Sequence, residues 1–329
     1  MTKLPAVELL LSLIMLGLAS PRLFASSNCS DVMVQSAGDS VLPAELCMPS
    51  AQSPPFSAVV DLRARSCEGL PGIPPGWEQS ALPSWGYAVL SIDSLAARGL
   101  AMKCSDWNAL TPRQIIGDAY AGLDYLARDA QIDPKRIALL GFRVGIGTLA
   151  LLADSTEALS ACPSKDSTQF RAVFAISPYC NLSFSGTVPR LYAPARIFTG
   201  EKDDFEPAKR CVELANMLRT NGANIEVVVY PDAGAGFDLT PPDTNYPVRD
   251  PTAMHPGATT VSTHPQYSPW AVNLADCTMT LKSLFDWLDS PSPAGCTHRG
   301  IHFQSSPDTA AKLQVDLRQQ LNELTTAPR

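Results

Sequence analysis

Metal-binding cysteine patterns are missing from this 329-residue sequence. Its nine cysteines include no C-x-x-C pair, which excludes the usual zinc and iron–sulfur spacings. A basic stripe is missing too. Lys plus Arg number 25 against 32 Asp plus Glu, and the net charge of −7 gives none of the footprint that nucleic-acid binding needs. Long apolar runs are absent but for residues 9–19, a stretch too short to cross a bilayer comfortably. Histidine occurs only four times, and His255, His264, His298 and His302 all fall in expected loops or the tail. No internal repeat is visible.

What is present suits one large core, since 45% of residues are hydrophobic and 17% are charged. Lys3, the apolar run 9–19 and the small-residue site at Leu23-Phe24-Ala25 predict a secretory signal over 1–25. An N-terminal anchor is the alternative, with Glu8 placed awkwardly for either. All nine cysteines follow Ala25, which fits export to an oxidising compartment and disulfide formation. Nine is odd, so at least one thiol is free or pairs with another chain. The expected organisation is a main domain over 29–290, then a linker and a C-terminal amphipathic helix over 291–329. No membrane contact is expected once the signal is removed, and the oligomeric state is open.

Along the chain, alternation over 31–45 around Ala37-Gly38-Asp39 predicts a hairpin. Strands are expected over 57–62, 86–92, 137–140, 171–177, 195–199 and 225–230. Helices are expected over 77–85 and from Pro112, where Thr111 and Gln114 form a capping box. The apolar face of that second helix is Ile115, Ile116, Ala119, Leu123 and Leu126. Another helix begins at Pro207 and ends at Asn221-Gly222, a left-handed cap signal. Residues 238–269 read as a long loop, 271–288 as a helix and 308–324 as an amphipathic helix, apolar at Ala311, Leu313, Leu317 and Leu321. Strands alternating with helices predict an α/β fold, a doubly wound, mostly parallel sheet with helices on both faces.

The most informative stretch is RIALLGFRVGIGTLALL at 136–152. A buried strand runs into Gly141-Phe142-Arg143-Val144-Gly145 and then a helical run, the strand–turn–helix layout of a nucleophile elbow. Four further motifs occur in order around it: SAGDSVLPAELCMP, SWGYAVLSID, ARIFTGEKDDFEPAKRC and VVVYPDAGAGFD. Together they resemble the dienelactone hydrolase family of α/β-hydrolases from residue 32 to about 287. The resemblance implies the α/β-hydrolase fold, ester or lactone hydrolysis, no cofactor, and a triad ordered nucleophile, acid, base. Carried over, it puts Arg143 at the nucleophile position and Asp203, in Gly200-Glu201-Lys202-Asp203, at the acid. Ala235, in the loop that starts at Tyr230-Pro231, takes the place of histidine.

Two of these three cannot perform their parts. Arginine stays protonated and has no lone pair to offer a carbonyl. Alanine accepts no proton. Where the family often carries His-Gly beside the oxyanion hole, this sequence has Arg63-Ala64. Substitutes are few. Cys67 is a candidate thiol nucleophile, but pairing with Cys104 is the blander expectation, and His255 or His264 would have to fold back from a downstream loop. Cys180 with Cys211 and Cys29 with Cys47 are the other expected disulfides, although sequence alone leaves the connectivity open.

A cation at a helix N-terminus opposes the macrodipole, so Arg143 needs compensation. It pairs with Asp203, or it joins Arg63 and the Val144 backbone N–H in holding a small anionic ligand. Three readings of function follow. The first is an exported, catalytically impaired relative of these hydrolases. The second is an active ester or lactone hydrolase with a relocated nucleophile, and the third is a structural or interaction protein.

Overall fold

The expected hairpin forms one edge of the sheet. Strand β1 (Asn28–Gln35) pairs antiparallel with β2 (Val41–Met48) in unbroken register from Asn28↔Met48 to Gln35↔Val41. The computed structural model describes residues 28–36, 40–50, 52–62, 76–94, 96–98, 112–142, 150, 168–183, 188–203, 206–238, 260–262, 272–273, 279–280, 298–299, 301–303 and 307–326. The hairpin tip, the segment expected as a signal, Arg63, Cys67, Cys104, Thr111, Arg143 and Val144 therefore lie outside the described residues.

The remaining strands of the main sheet are β3 (Phe56–Leu62), β4 (Tyr87–Ile92), β5 (Ile132–Phe142), β6 (Ala172–Ile176), β8 (Ala195–Gly200) and β9 (Ile225–Tyr230), with the two-residue β7 (Leu182–Ser183) outside it. Their order is β1-β2-β4-β3-β5-β6-β8-β9. Pairs β1·β2 and β2·β4 are antiparallel, and every pair from β4·β3 to β8·β9 is parallel. This is a mixed, mostly parallel sheet with helices on both faces, the α/β-hydrolase fold.

The period-2 geometry of strands divides the core into two layers. Ala58, Val60, Leu90, Ile92, Leu139, Val173 and Ile197 face one layer, with Ile115, Ile116, Ala119, Leu123 and Leu126 of α2 (Pro112–Ala127) and Cys211, Leu214 and Leu218 of α3 (Ala208–Thr220). Val59, Val89, Ala138, Leu140, Phe174 and Phe198 face the other, with Leu82 of α1 (Glu78–Ser84) and Leu313, Leu317 and Leu321 of α4 (Pro307–Thr326). All five residues expected on the core face of α2 are buried.

The turn after α1 requires a left-handed residue, and Gly86 supplies it at φ 96° while its N–H bonds the carbonyl of Pro83. Strand β5 starts earlier than the sequence suggests, at Ile132, despite Pro134. Its pairing with β3 jumps from Phe56↔Ile132 to Ala58↔Ile137, so Pro134 sits in a bulge where the ladder needs no donor. Beside it, Asp133 accepts from the backbone N–H of Lys135 at 2.9 Å and from Arg136 Nε at 2.8 Å.

The C-terminal helix packs on this chain's own sheet. Besides its three buried leucines, Asp316 accepts from Tyr230 Oη at 2.9 Å, Asn322 accepts from Tyr87 Oη at 2.8 Å, and Gln320 accepts from Arg196 Nε at 2.9 Å. Ala310 is the buried alanine of this helix, whereas Ala311 is exposed, a correction of one position in helical phase.

Two of the expected disulfides are present, Cys29–Cys47 across the hairpin and Cys180–Cys211 between the segment after β6 and α3. Two expectations are corrected. Within 271–288, read as a helix, β11 (Val272–Asn273) pairs with β13 (His298–Arg299), and β12 (Met279–Thr280) runs parallel to β7. Within 238–269, read as loop, β10 (Thr260–Ser262) pairs with β14 (Ile301–Phe303). Long-range pairing overrode helical periodicity in the first and made a short strand in a stretch of little periodicity in the second.

Candidate functional site

The parallel strands β3, β5, β6, β8 and β9 all end at one edge of the sheet, at Leu62, Phe142, Ile176, Gly200 and Tyr230. Ligands of open α/β sheets bind outside such carboxyl ends. The sequence-marked positions 63, 143, 203 and 235 follow four of these five ends. Of them, Asp203 and Ala235 are described.

Asp203 lies in the turn after β8. Its backbone N–H bonds the carbonyl of Gly200 at 3.3 Å, and its Oδ1 accepts from the backbone N–H of Glu206 at 2.9 Å. The carboxyl is buried, as are those of Glu206 and of Asp238, which follows the loop after β9. The next helix, α3, starts at Ala208 behind Pro207. The Glu206 carbonyl lies 3.5 Å from Thr199 Oγ1, which ties the turn back to its strand.

The loop with Ala235 is braced against the acid turn. Lys202 N–H bonds the Ala233 carbonyl at 2.8 Å, and Glu201 N–H bonds that of Tyr230 at 3.0 Å. Lys202 and Asp232 form an ion pair across the two loops. Their hydrogen bond and the Asp232 charge raise the Lys202 pKa, although both groups are exposed. Gly200 is required for this approach, because a Cβ there would lie 2.4 Å from the Ala233 carbonyl oxygen. Asp232 at φ 63° and Gly236 at φ 76° turn the loop, and Phe237 N–H closes it on the Gly234 carbonyl at 3.2 Å. Ala235 is 4% exposed, so its methyl group is inside the protein, in the loop that Ala233 and Tyr230 brace against the acid turn.

Strand β5 ends at Phe142. Its ring is held edge-on by Trp77 at 6.3 Å, and Trp77 in turn meets Trp85 at 6.2 Å. The expected anion-binding residues Arg143, Val144 and Arg63 lie outside the described residues.

One residue at this edge was not singled out from the sequence. Ser177 follows β6 with φ 48°, a left-handed conformation uncommon for a non-glycine residue, and is 2% exposed. Its N–H bonds the Phe198 carbonyl at 2.8 Å, while its hydroxyl has no hydrogen-bond partner among the described residues. The pairings Phe142↔Ile176 and Ile176↔Phe198 place it one step beyond the sheet, between β5 and β8. A serine before Pro178 carries no sequence signal for such a backbone.

Among the described residues, the one cluster with metal-donor atoms is Cys29, Glu45 and Cys47. Its two sulfurs are joined in a disulfide, which removes the thiolates a metal would need.

The dienelactone hydrolase family model matches residues 93–253. A Bradyrhizobium protein described as a 2-oxo-3-(5-oxofuran-2-ylidene)propanoate lactonase is 28% identical over 131 residues, 39% of this chain and 50% of its own. The chain thus spans half the length of that curated relative. Two solved structures are similar in fold. A Klebsiella pneumoniae protein described as a dienelactone hydrolase has a TM-score of 0.51 at 19% identity, over 65% of this chain and 89% of that one. Thermogutta terrifontis esterase 2, phosphonylated by sarin, has a TM-score of 0.51 at 18% identity, over 66% and 89%. The family model covers 161 of the 329 residues, just under half of the chain, and the sheet order above is that of the α/β-hydrolase fold.

Proposed function

We propose that this protein is an exported dienelactone-hydrolase-like pseudohydrolase that has lost ester and lactone hydrolysis and holds a small anionic ligand at the former nucleophile turn. The observation that carries the reading is the braced pair of loops after β8 and β9. They keep a buried acid, Asp203, beside the loop that in the family presents histidine, and the residue there is Ala235. A triad acid acts by orienting and charging an imidazole, and alanine at position 235 offers none. Arg143 is unable to attack a carbonyl, so both the nucleophile and the base are missing. The cation supports anion binding at the head of the elbow helix, with Arg63 and the Val144 N–H as further donors. Asp203 is the alternative partner of Arg143. Two disulfides within the fold support export to an oxidising compartment.

The test is turnover of small chromogenic esters and lactones. Wild type gives background rates, and Arg143→Ser with Ala235→His recovers a trace. Robust wild-type turnover that survives Arg143→Ala refutes the loss of catalysis and points to a relocated nucleophile. Binding is read by thermal shift with carboxylates and phosphates. A ligand of the native state raises the melting temperature by mass action, and the rise disappears in Arg143→Ala.

A further inference from the structure

We propose that Ser177 is a ligand-contacting residue whose hydroxyl hydrogen-bonds a small carboxylate at the carboxyl edge of the sheet; the choice of a carboxylate rests on the anion-binding reading above. Three observations carry it. The hydroxyl is buried without a partner among the described residues, and native proteins rarely leave such a group unsatisfied. The backbone stands at φ 48°, a conformation that costs free energy and is retained where something depends on it. Its place in the register, beyond Ile176 and between the ends of β5 and β8, is the crevice where ligands of this architecture bind.

Ser177 is held there from two sides. Its N–H is anchored on the Phe198 carbonyl, and three residues later the Cys180–Cys211 disulfide fixes the segment to α3. The hydroxyl therefore has a fixed origin. In this reading the hydroxyl donates a hydrogen bond to a carboxylate oxygen. The bond is charge-assisted, the stronger kind, and it satisfies a group that has no partner among the described residues.

The experiment compares the full chain with Ser177→Ala and Ser177→Gly by calorimetric titration with acetate, succinate, maleate and benzoate, alongside melting temperatures without ligand. Both variants bind the preferred carboxylate about ten-fold or more weakly, the loss of one charge-assisted hydrogen bond. Both also melt higher than wild type without ligand, Ala by roughly 2–4 °C and Gly by more, because the unsatisfied hydroxyl is gone and glycine relieves φ. Wild-type binding that Ser177→Ala leaves intact overturns the contact and leaves the anion-binding reading standing. A lower melting temperature of unliganded Ser177→Ala also overturns it, since the hydroxyl would then serve the fold. Failure of wild type to bind any of the four at millimolar concentration removes the anion-binding reading and this inference with it.

Discussion

Replacing Gly200 by alanine tests whether the acid turn and the loop with Ala235 form one braced unit. The added Cβ would lie 2.4 Å from the Ala233 carbonyl oxygen, 2.8 Å from its carbon and 3.1 Å from its Cβ. The first two are backbone atoms, so no side-chain rotation relieves the overlap. The loops must separate by about 1 Å to reach ordinary contact, and overpacking of this kind costs about 1–3 kcal/mol. The movement also stretches the Lys202–Ala233 bond of 2.8 Å and the Glu201–Tyr230 bond of 3.0 Å, at about 1 kcal/mol for each one lost. With both bonds lost the sum, about 3–5 kcal/mol, lowers the melting temperature by roughly 4–7 °C for a chain of this size. Gly122→Ala is the control. Its Cβ would meet Ile92 Cδ1 at 2.7 Å, the far end of a flexible side chain, and alanine gains about 1 kcal/mol of helix propensity. That variant should fall by less than about 2 °C, by the same conversion. Differential scanning calorimetry of both decides the matter. If Gly200→Ala melts with wild type, or with Gly122→Ala, the brace is not rigid and its place in the functional reading is lost.

Further predictions concern the scaffold. Asp118, buried on α2, receives both guanidinium nitrogens of Arg98 at 2.8 and 2.9 Å, so Asp118→Ala strands a partly buried cation. The cost is about 3–5 kcal/mol, read as a lower urea midpoint at unchanged slope; a loss under about 1 kcal/mol would refute the pair's role. Leu317→Ala opens a cavity beneath α4 and costs about 2–5 kcal/mol by the same assay, whereas exposed Val315→Ala changes little. Burial, followed by the Asp316 carboxylate, raises the Tyr230 pKa, and burial raises those of Tyr87 and Tyr179 against the pull of nearby arginines. The unfolded chain loses these protons near pH ~10 while the fold keeps them, so stability is intact below that pH and declines above it. Tyrosinate absorbance that develops fully near pH 10 in the still-folded protein would contradict this.

Most of the scaffold was legible because it rests on local rules. Strand alternation, the proline at the start of α2 and the Asn221-Gly222 stop act within a few residues, and each produced the element it announces. The disulfides could be placed because their cysteines stand at ends of elements that the topology makes neighbours. The position of Asp203 was legible from a Gly-x-x-Asp turn after a strand, and that of Ala235 from the loop it shares with Tyr230 and Phe237. What escaped was set at long range. The contact between Gly200 and Ala233 joins two loops, and the backbone of Ser177 is fixed by Phe198 on the next strand. The short strands within 271–288 depend on partners at 182–183 and 298–299. Pro134 looked like a break because a bulge that tolerates it exists only against β3.

Helix α4 has a consequence for how the molecule comes into being. It closes a layer whose other members, from Val59 to Phe237, precede it by at least 70 residues. During synthesis those strands emerge first, and the part of this layer that α4 covers waits until residues 307–326 arrive. Contacts so distant in sequence form slowly, and an uncovered face is the kind of surface that chaperones hold and that aggregates at high expression. Under the export proposed above the delay would be useful, because a polypeptide that has not closed its core is still free to be threaded. Yield should then depend on the last helix more than on any single strand, and a tag or truncation placed there would act on folding before it acted on function.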